Sequence, residues 1–129
     1  MLKQYNIPNI IPANTVMNAN RTSQAIQLQN NITYAIQIVF TGTPNGSFKL
    51  QAGADPVFNA VSSGNYTGIN LPTHWTDVAD STFVVSAAGD VMWNVAEIGY
   101  NWVRVVFTDA SGGLSTAVIS SAVVNGKGV

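Results

Sequence analysis

The sequence predicts an all-β fold: a single antiparallel β-sandwich, jelly-roll or immunoglobulin-like, of about eight or nine short strands. Three observations lead there. Apolar residues recur with period two over much of the 129-residue chain, the repeat of a strand that turns one face to a core. Clusters of Gly, Pro, Asn, Asp and Ser punctuate that alternation at short intervals, each favouring turn geometry. No stretch carries the 3.6-residue repeat of an amphipathic helix, and the abundant Asn, Gly, Thr and Val disfavour one.

Residues 1–14 read as an extended arm, with a simple edge strand or a frayed terminus as the equal alternative. Pro8 and Pro12 interrupt any regular ladder, and Ile7, Ile10 and Ile11 between and beside them make the arm adhesive. Short strands are expected over 15–18 and 24–29. Tyr34, Ile36, Ile38 and Phe40 then alternate with Ala35, Gln37, Val39 and Thr41, the Thr43-Pro44-Asn45-Gly46 run turns the chain, and Phe48, Leu50 and Ala52 alternate with Ser47, Lys49 and Gln51. The span 34–52 is therefore expected to be a β-hairpin.

Residues 53–74 break the pattern. Gly, Asn and Ser are scattered among a few apolar residues, and so long a loop in a small domain is either functional or ordered by a neighbour. Strands resume over 75–79 and 82–86. Val91, Trp93 and Val95 form one apolar face, residues 97–101 turn the chain, and Val103, Val105 and Phe107 oppose Trp102, Arg104 and Val106. A turn at Ser111-Gly112-Gly113 leads into a last β-branched strand over 115–125. The organisation expected is an arm at 1–14 and one sandwich domain at 15–129 with a long loop at 53–74.

Composition excludes several functions. The chain is 47% apolar and only 9% charged, against about 25% charged in an ordinary soluble domain, so disorder is excluded. The net charge is −1 and the five basic residues stand singly, which argues against nucleic-acid binding through the phosphate backbone. No stretch approaches the ~20 apolar residues of a membrane-spanning helix. A charge so close to zero offers little self-repulsion and favours association, hence a homo-oligomer. The amino terminus lacks the apolar core of a secretory signal, so synthesis in the cytoplasm is expected.

Nothing in the chain assembles into a catalytic or metal set. His74 is the only histidine and there is no cysteine, which removes the usual nucleophile–base pairs and zinc shells. Asp77 and Asp80 lie close together, but the dense acidic loop of a calcium site is missing. No phosphate-cradling glycine loop precedes a helix. The expectation is a protein that is not an enzyme and uses no cofactor or metal. Tyr66 and Trp75 bracket the long loop, and with Phe58 inside it they are the aromatics best placed to meet a partner; Ile7, Ile10 and Ile11 of the arm complete the expected contact set.

An ordered series of short motifs adds a resemblance. Tyr34-Ala35-Ile36-Gln37-Ile38-Val39-Phe40-Thr41-Gly42 is followed by Gly46-x-Phe48-x-Leu50-Gln51-Ala52 and by Pro72-Thr73-x-Trp75-Thr76-Asp77. Then come Ser86-Ala87-Ala88-Gly89-Asp90, Met92-Trp93-Asn94-Val95 and Gly99-Tyr100-x-Trp102-Val103-Arg104-Val105. Over residues 34–108 this series resembles small β-rich proteins encoded among the virion structural genes of tailed bacteriophages. The resemblance implies a virion protein that acts by assembly: capsid decoration first, with a head-fibre, neck or tail component next. Its partners would be the major capsid protein or other virion subunits, its location the virion, and the arm and the loop its points of contact. Removal of residues 1–12 is then expected to leave a folded domain that no longer incorporates.

The Leu50-Gln51-Ala52 and Trp75-Thr76-Asp77 pair also resembles discoidin-type sugar-binding sandwiches, here with a longer insertion between the two motifs. That supplies the alternative from another class, a carbohydrate-binding module reading surface glycans through Tyr66, His74, Trp75 and Trp102.

Overall fold

The computed structural model describes residues 3–28, 31–54, 72–96 and 98–128. Eleven strands and no helix occur among them: β1 (Lys3–Ile7), β2 (Thr15–Val16), β3 (Arg21–Thr22), β4 (Ile26–Gln27), β5 (Asn31–Thr41), β6 (Gly46–Gly53), β7 (Thr76–Asp77), β8 (Phe83–Val85), β9 (Gly89–Ala96), β10 (Trp102–Asp109) and β11 (Val118–Gly128). All pairing is antiparallel. Sheet A runs β1-β11-β5-β9 with β2 also on β11; sheet B runs β3-β10-β6-β7, with β4 on β10 and β8 on β6. The sandwich expected from the sequence is the fold.

Tyr34, Ile36, Ile38 and Phe40 of β5 face Phe48 and Leu50 of β6 and Val103, Val105 and Phe107 of β10 across one core. The Phe48 ring holds its centre, 4.9 Å from Phe107, 5.6 Å from Phe40 and 6.4 Å from Trp93. Trp93 reaches it from β9 and donates its indole N–H to the Ser81 carbonyl at 2.7 Å, so its one polar atom is satisfied in the interior.

The expected hairpin over 34–52 does not form. β5 belongs to sheet A and β6 to sheet B, and their Phe40 and Phe48 rings meet across the core instead of side by side in one sheet. Period two shows that each strand has one apolar face, and a hairpin and a cross-sandwich connection present that face equally well. The connection is tight at its end. Gly46 lies where a Cβ would collide with the Thr108 carbonyl oxygen and the Phe107 ring, a close approach that only glycine permits. Nor do β9 and β10 pair with each other, and the chain crosses between sheets at every link joining β8 through β11.

The amino-terminal segment takes the edge-strand alternative and is not a free arm. Residues 3–16 run antiparallel along β11: β1 pairs with Val124–Gly128 and β2 with Val118–Ile119. The ladder lapses between them, around Pro8 and Pro12. There Asn9 and Asn14 take positive φ (55° and 66°), and Ile10 and Ile11 enter the core, each 2% exposed. Backbone bonds from the Ile10 and Asn14 amides to the Ala122 and Ile119 carbonyls hold the kinked stretch down.

Sheet B has both of its edges broken in the middle, and each break is filled by a buried serine. Ser23 lies between β3 and β4, and its hydroxyl accepts the Val105 amide at 2.8 Å. Ser81 lies between β7 and β8, and its hydroxyl accepts the Leu50 amide at 3.1 Å while donating to the Val78 carbonyl at 2.6 Å. Val105 and Leu50 are register partners. One line across the sheet is thus completed at both ends by side-chain oxygens where strand backbone is missing, as buried amides require.

Candidate functional site

The outer face of sheet B gathers aromatic, cationic, anionic and amide groups. On β6, period two sends Lys49 and Gln51 outward while Phe48 and Leu50 point in. Arg104 of β10 is the register partner of Gln51, and Asp77 of β7 is its partner on the other side. Side chains directly opposite in an antiparallel pair share a face and interact, so three strands deliver one cluster.

The bonds run in a chain. Arg104 Nε donates to Gln51 Oε1 at 2.8 Å, Gln51 Nε2 donates to Asp77 Oδ1 at 3.0 Å, and Lys49 Nζ donates to Asp77 Oδ2 at 3.0 Å. At the other end the Arg104 guanidinium lies 4.2 Å from the centroid of the Trp75 ring, within cation–π range. The Gln51 amide, and then the Lys49 ammonium, hold the Asp77 carboxyl below the usual carboxylate range; partial burial lowers the Arg104 guanidinium from its ordinary value.

Next to this network a cleft of about 390 Å³ opens among Ala52, Ala54, Thr76, Val78, Ala79 and Tyr100, with Asp77 in its wall. Tyr100 also shares a 2.6 Å hydroxyl–hydroxyl bond with Tyr34, whose buried phenol is pushed upward by desolvation and by that bond. The cluster offers fixed ions, an amide and an aromatic plane, which is equipment for recognising a polar ligand. Asp77 already accepts bonds at both oxygens, and no group of three or more His, Cys, Asp or Glu among the described residues could hold a metal ion.

Of the contact residues expected from the sequence, Trp75 is half-buried beside this network. Ile10 and Ile11 are in the core and Ile7 packs against it, so these three face the chain's own interior. Phe58 and Tyr66, with most of the loop at 53–74, lie outside the described residues. Trp102 is buried yet not in the core cluster; it falls on the outer-face register of Arg104. Lys49, Gln51 and Arg104 were visible in the sequence as residues opposite an apolar strand face, and Asp77 only as a carboxylate near Asp80. Their grouping required the β6–β10 pairing, which the expected hairpin displaced.

The outer face of sheet A is different. β5 presents Thr33, Ala35, Gln37 and Val39; β9 presents Asp90, Met92, Asn94 and Ala96; β11 presents Ser121, Val123, Asn125 and Lys127. Asp90 and Lys127 are its only ions among the described side chains. The amides bond laterally, Asn6 to Asn125 at 2.5 Å and Gln37 to Asp90 at 3.0 Å.

No protein-family model matches this chain, and no curated protein matches its sequence. Comparison with solved structures finds similar backbones. The SPBc2 prophage-derived protein YomS aligns with a TM-score of 0.51 at 8% identity, over 99% of this chain and 94% of that one. A protein of the Bacillus endospore appendages, which are disulfide-linked pili, gives 0.48 at 10% identity over 100% and 87%. The coat protein of Tobacco streak virus gives 0.45 at 11% identity over 95% and 85%. At such identities the likeness to YomS is one of fold.

Proposed function

We propose that this chain is a non-enzymatic structural protein of a bacteriophage virion, and within that class a capsid decoration protein that bridges neighbouring major-capsid subunits. The observation that carries the reading is the outer face of sheet A. It is four strands wide and lined by amides, hydroxyls and apolar groups, Met92 the largest, so a partner can cover it without stripping water from a field of ions, the costly step in burying charge. The motif series over 34–108 supports the reading, and the fold is one that a prophage-derived protein also adopts. A head-fibre, neck or tail component would use the same face.

The mechanism is additive burial. Each copy removes apolar area from water at roughly 25 cal/mol per Å², less the cost of ordering, and repetition over a lattice multiplies a modest contact. Particles purified from the phage that carries the gene should contain the chain in fixed ratio to the major capsid protein. Val123→Lys, which places a charge at the middle of the face, should abolish incorporation and leave the fold intact. Particles that lack the wild-type chain would refute the assignment.

The Trp75–Arg104–Gln51–Asp77 network favours a second reading, a glycan-binding face used for surface attachment. A glycan array would then return a selective ligand, lost in Trp75→Ala. Uniform absence of binding would remove this reading and leave the first untouched.

A further inference from the structure

The two flanks of the sandwich are closed unequally. On one, sheet A ends in the broken pair β1 and β2, interrupted around Pro8 and Pro12, while β3 and β4 end sheet B. On the other, β9 ends sheet A, pairing only with β5 among the described strands. Its outward edge runs the eight residues Gly89–Ala96 with no proline, lysine or register shift, the features that commonly blunt an edge strand. β8 ends sheet B on the same flank, where Phe83 packs 5.5 Å from the Trp93 ring of β9. Of the four large apolar side chains exposed among the described residues, three lie here: Phe83 at 39%, Val84 at 83% and Met92 at 55%.

We infer that this flank is a twofold interface between two copies of the chain, made by antiparallel pairing of β9 with its counterpart and centred on Met92. Opposite residues in an antiparallel pair share a face, so the axis must pass through a residue and not between two. The outward side chains decide which residue. Centred on Met92, the two Met92 thioethers meet and each Asp90 faces the Asn94 amide of the other copy. Asp90 accepts from Gln37 at Oδ2, leaving Oδ1 for that amide.

The neighbouring registers match less well. Centring on Trp93 sets Asp90 against the Ala96 methyl, and centring on Val91 sets it against Met92. The Met92 register also keeps the two Asp90 carboxylates apart, and a net charge of −1 adds little repulsion between copies. Pairing the β9 edges carries the two β8 edges towards each other, which covers the exposed side of Phe83. The outcome is one continuous sheet, β1-β11-β5-β9 joined to its mate, with the uncharged face doubled in extent. This inference does not rest on the virion assignment.

Sedimentation velocity on the full chain over a concentration series tests it. The wild type should sediment at twice the monomer mass. Met92→Glu sets like charges on the axis and should give monomer with an unchanged circular-dichroism spectrum, because Met92 points to solvent. Asn94→Asp should also dissociate the dimer by opposing Asp90, and the double swap D90N/N94D should restore it. The chain has no cysteine, so oxidised M92C should run as a covalent dimer and oxidised D90C should not. A wild type that stays monomeric, a dimer that survives Met92→Glu, or a double swap that fails to recover would each overturn the inference.

Discussion

The two outer faces of this sandwich solve the same problem in opposite ways. Both cover the same core and both look outward. Sheet B spends three of the chain's few ions in one network, Lys49, Asp77 and Arg104, tied together by Gln51 and closed by Trp75. Sheet A leaves its face to Asn, Gln, Thr, Ser, Ala, Val and Met92, with Asp90 and Lys127 its only ions among the described side chains. The low charge of the chain is thus unevenly spread: the patterned face fixes its ions in directed bonds, and the plain one has few charges to desolvate.

The supports beneath the faces differ as well, and the largest expected effect comes from sheet A. Its margin is held by the amino-terminal segment, which adds β1 and sends Ile10 and Ile11 into the core. Replacing either isoleucine by alanine should cost about 2–5 kcal/mol. Removing residues 1–12 takes both, together with an edge strand, and should leave no cooperative unfolding transition in denaturant titration. A truncated chain that unfolds cooperatively at unchanged midpoint would show that sheet A does not depend on this segment.

Sheet B should respond next, through its serines. Ser23→Ala and Ser81→Ala each leave a buried amide, of Val105 or Leu50, without its side-chain acceptor. A loss of about 1–3 kcal/mol is expected for each. The two losses should be similar, because each hydroxyl also donates to a carbonyl, Ser23 to Gln24 and Ser81 to Val78, and the Trp93 indole keeps its main-chain acceptor at Ser81 in the alanine variant. Arg104→Ala comes third. It uncovers the Trp75 ring at a cost of about 0.5–1 kcal/mol, with a red shift of tryptophan emission as the ring gains water. Val123→Lys, the matching change on sheet A, should leave stability nearly unchanged.

The same contrast explains what could be read from the sequence. Strands were legible wherever a run such as Tyr34–Phe40 or Val103–Phe107 alternated over several residues, because burial of one face imposes period two locally. Partnership was not legible, because Phe40 and Phe48 satisfy the same alternation whether their strands lie side by side or face across a core. Ile10 and Ile11 read as an arm because Pro8 and Pro12 break the alternation at the place where the two side chains turn inward. The sheet B cluster was hidden for the first of these reasons: its members are 28 residues apart at Lys49–Asp77 and 53 apart at Gln51–Arg104, and only the strand pairing unites them.

The smallest expected effect is the most specific to the patterned face. Asp77 is exposed, yet its carboxyl is held below the ordinary carboxylate value, chiefly by the Gln51 amide and next by Lys49. A carboxyl with a lower pKa folded than unfolded adds stability above the unfolded value, and that stability is lost as pH falls through the folded value. The contribution of Asp77 is therefore complete at neutral pH and disappears in the acid limb below about pH 4. Carbon-13 detected titration should place its midpoint under the ordinary aspartate value of 3.8. Because the leading cause is a hydrogen bond from a neutral amide, concentrated salt should raise that midpoint only in part, and Gln51→Ala should raise it further at the same salt. If salt alone returned Asp77 to the ordinary value, the network would be a screened surface ion pair, and the contrast between the two faces would shrink to a difference in charge count.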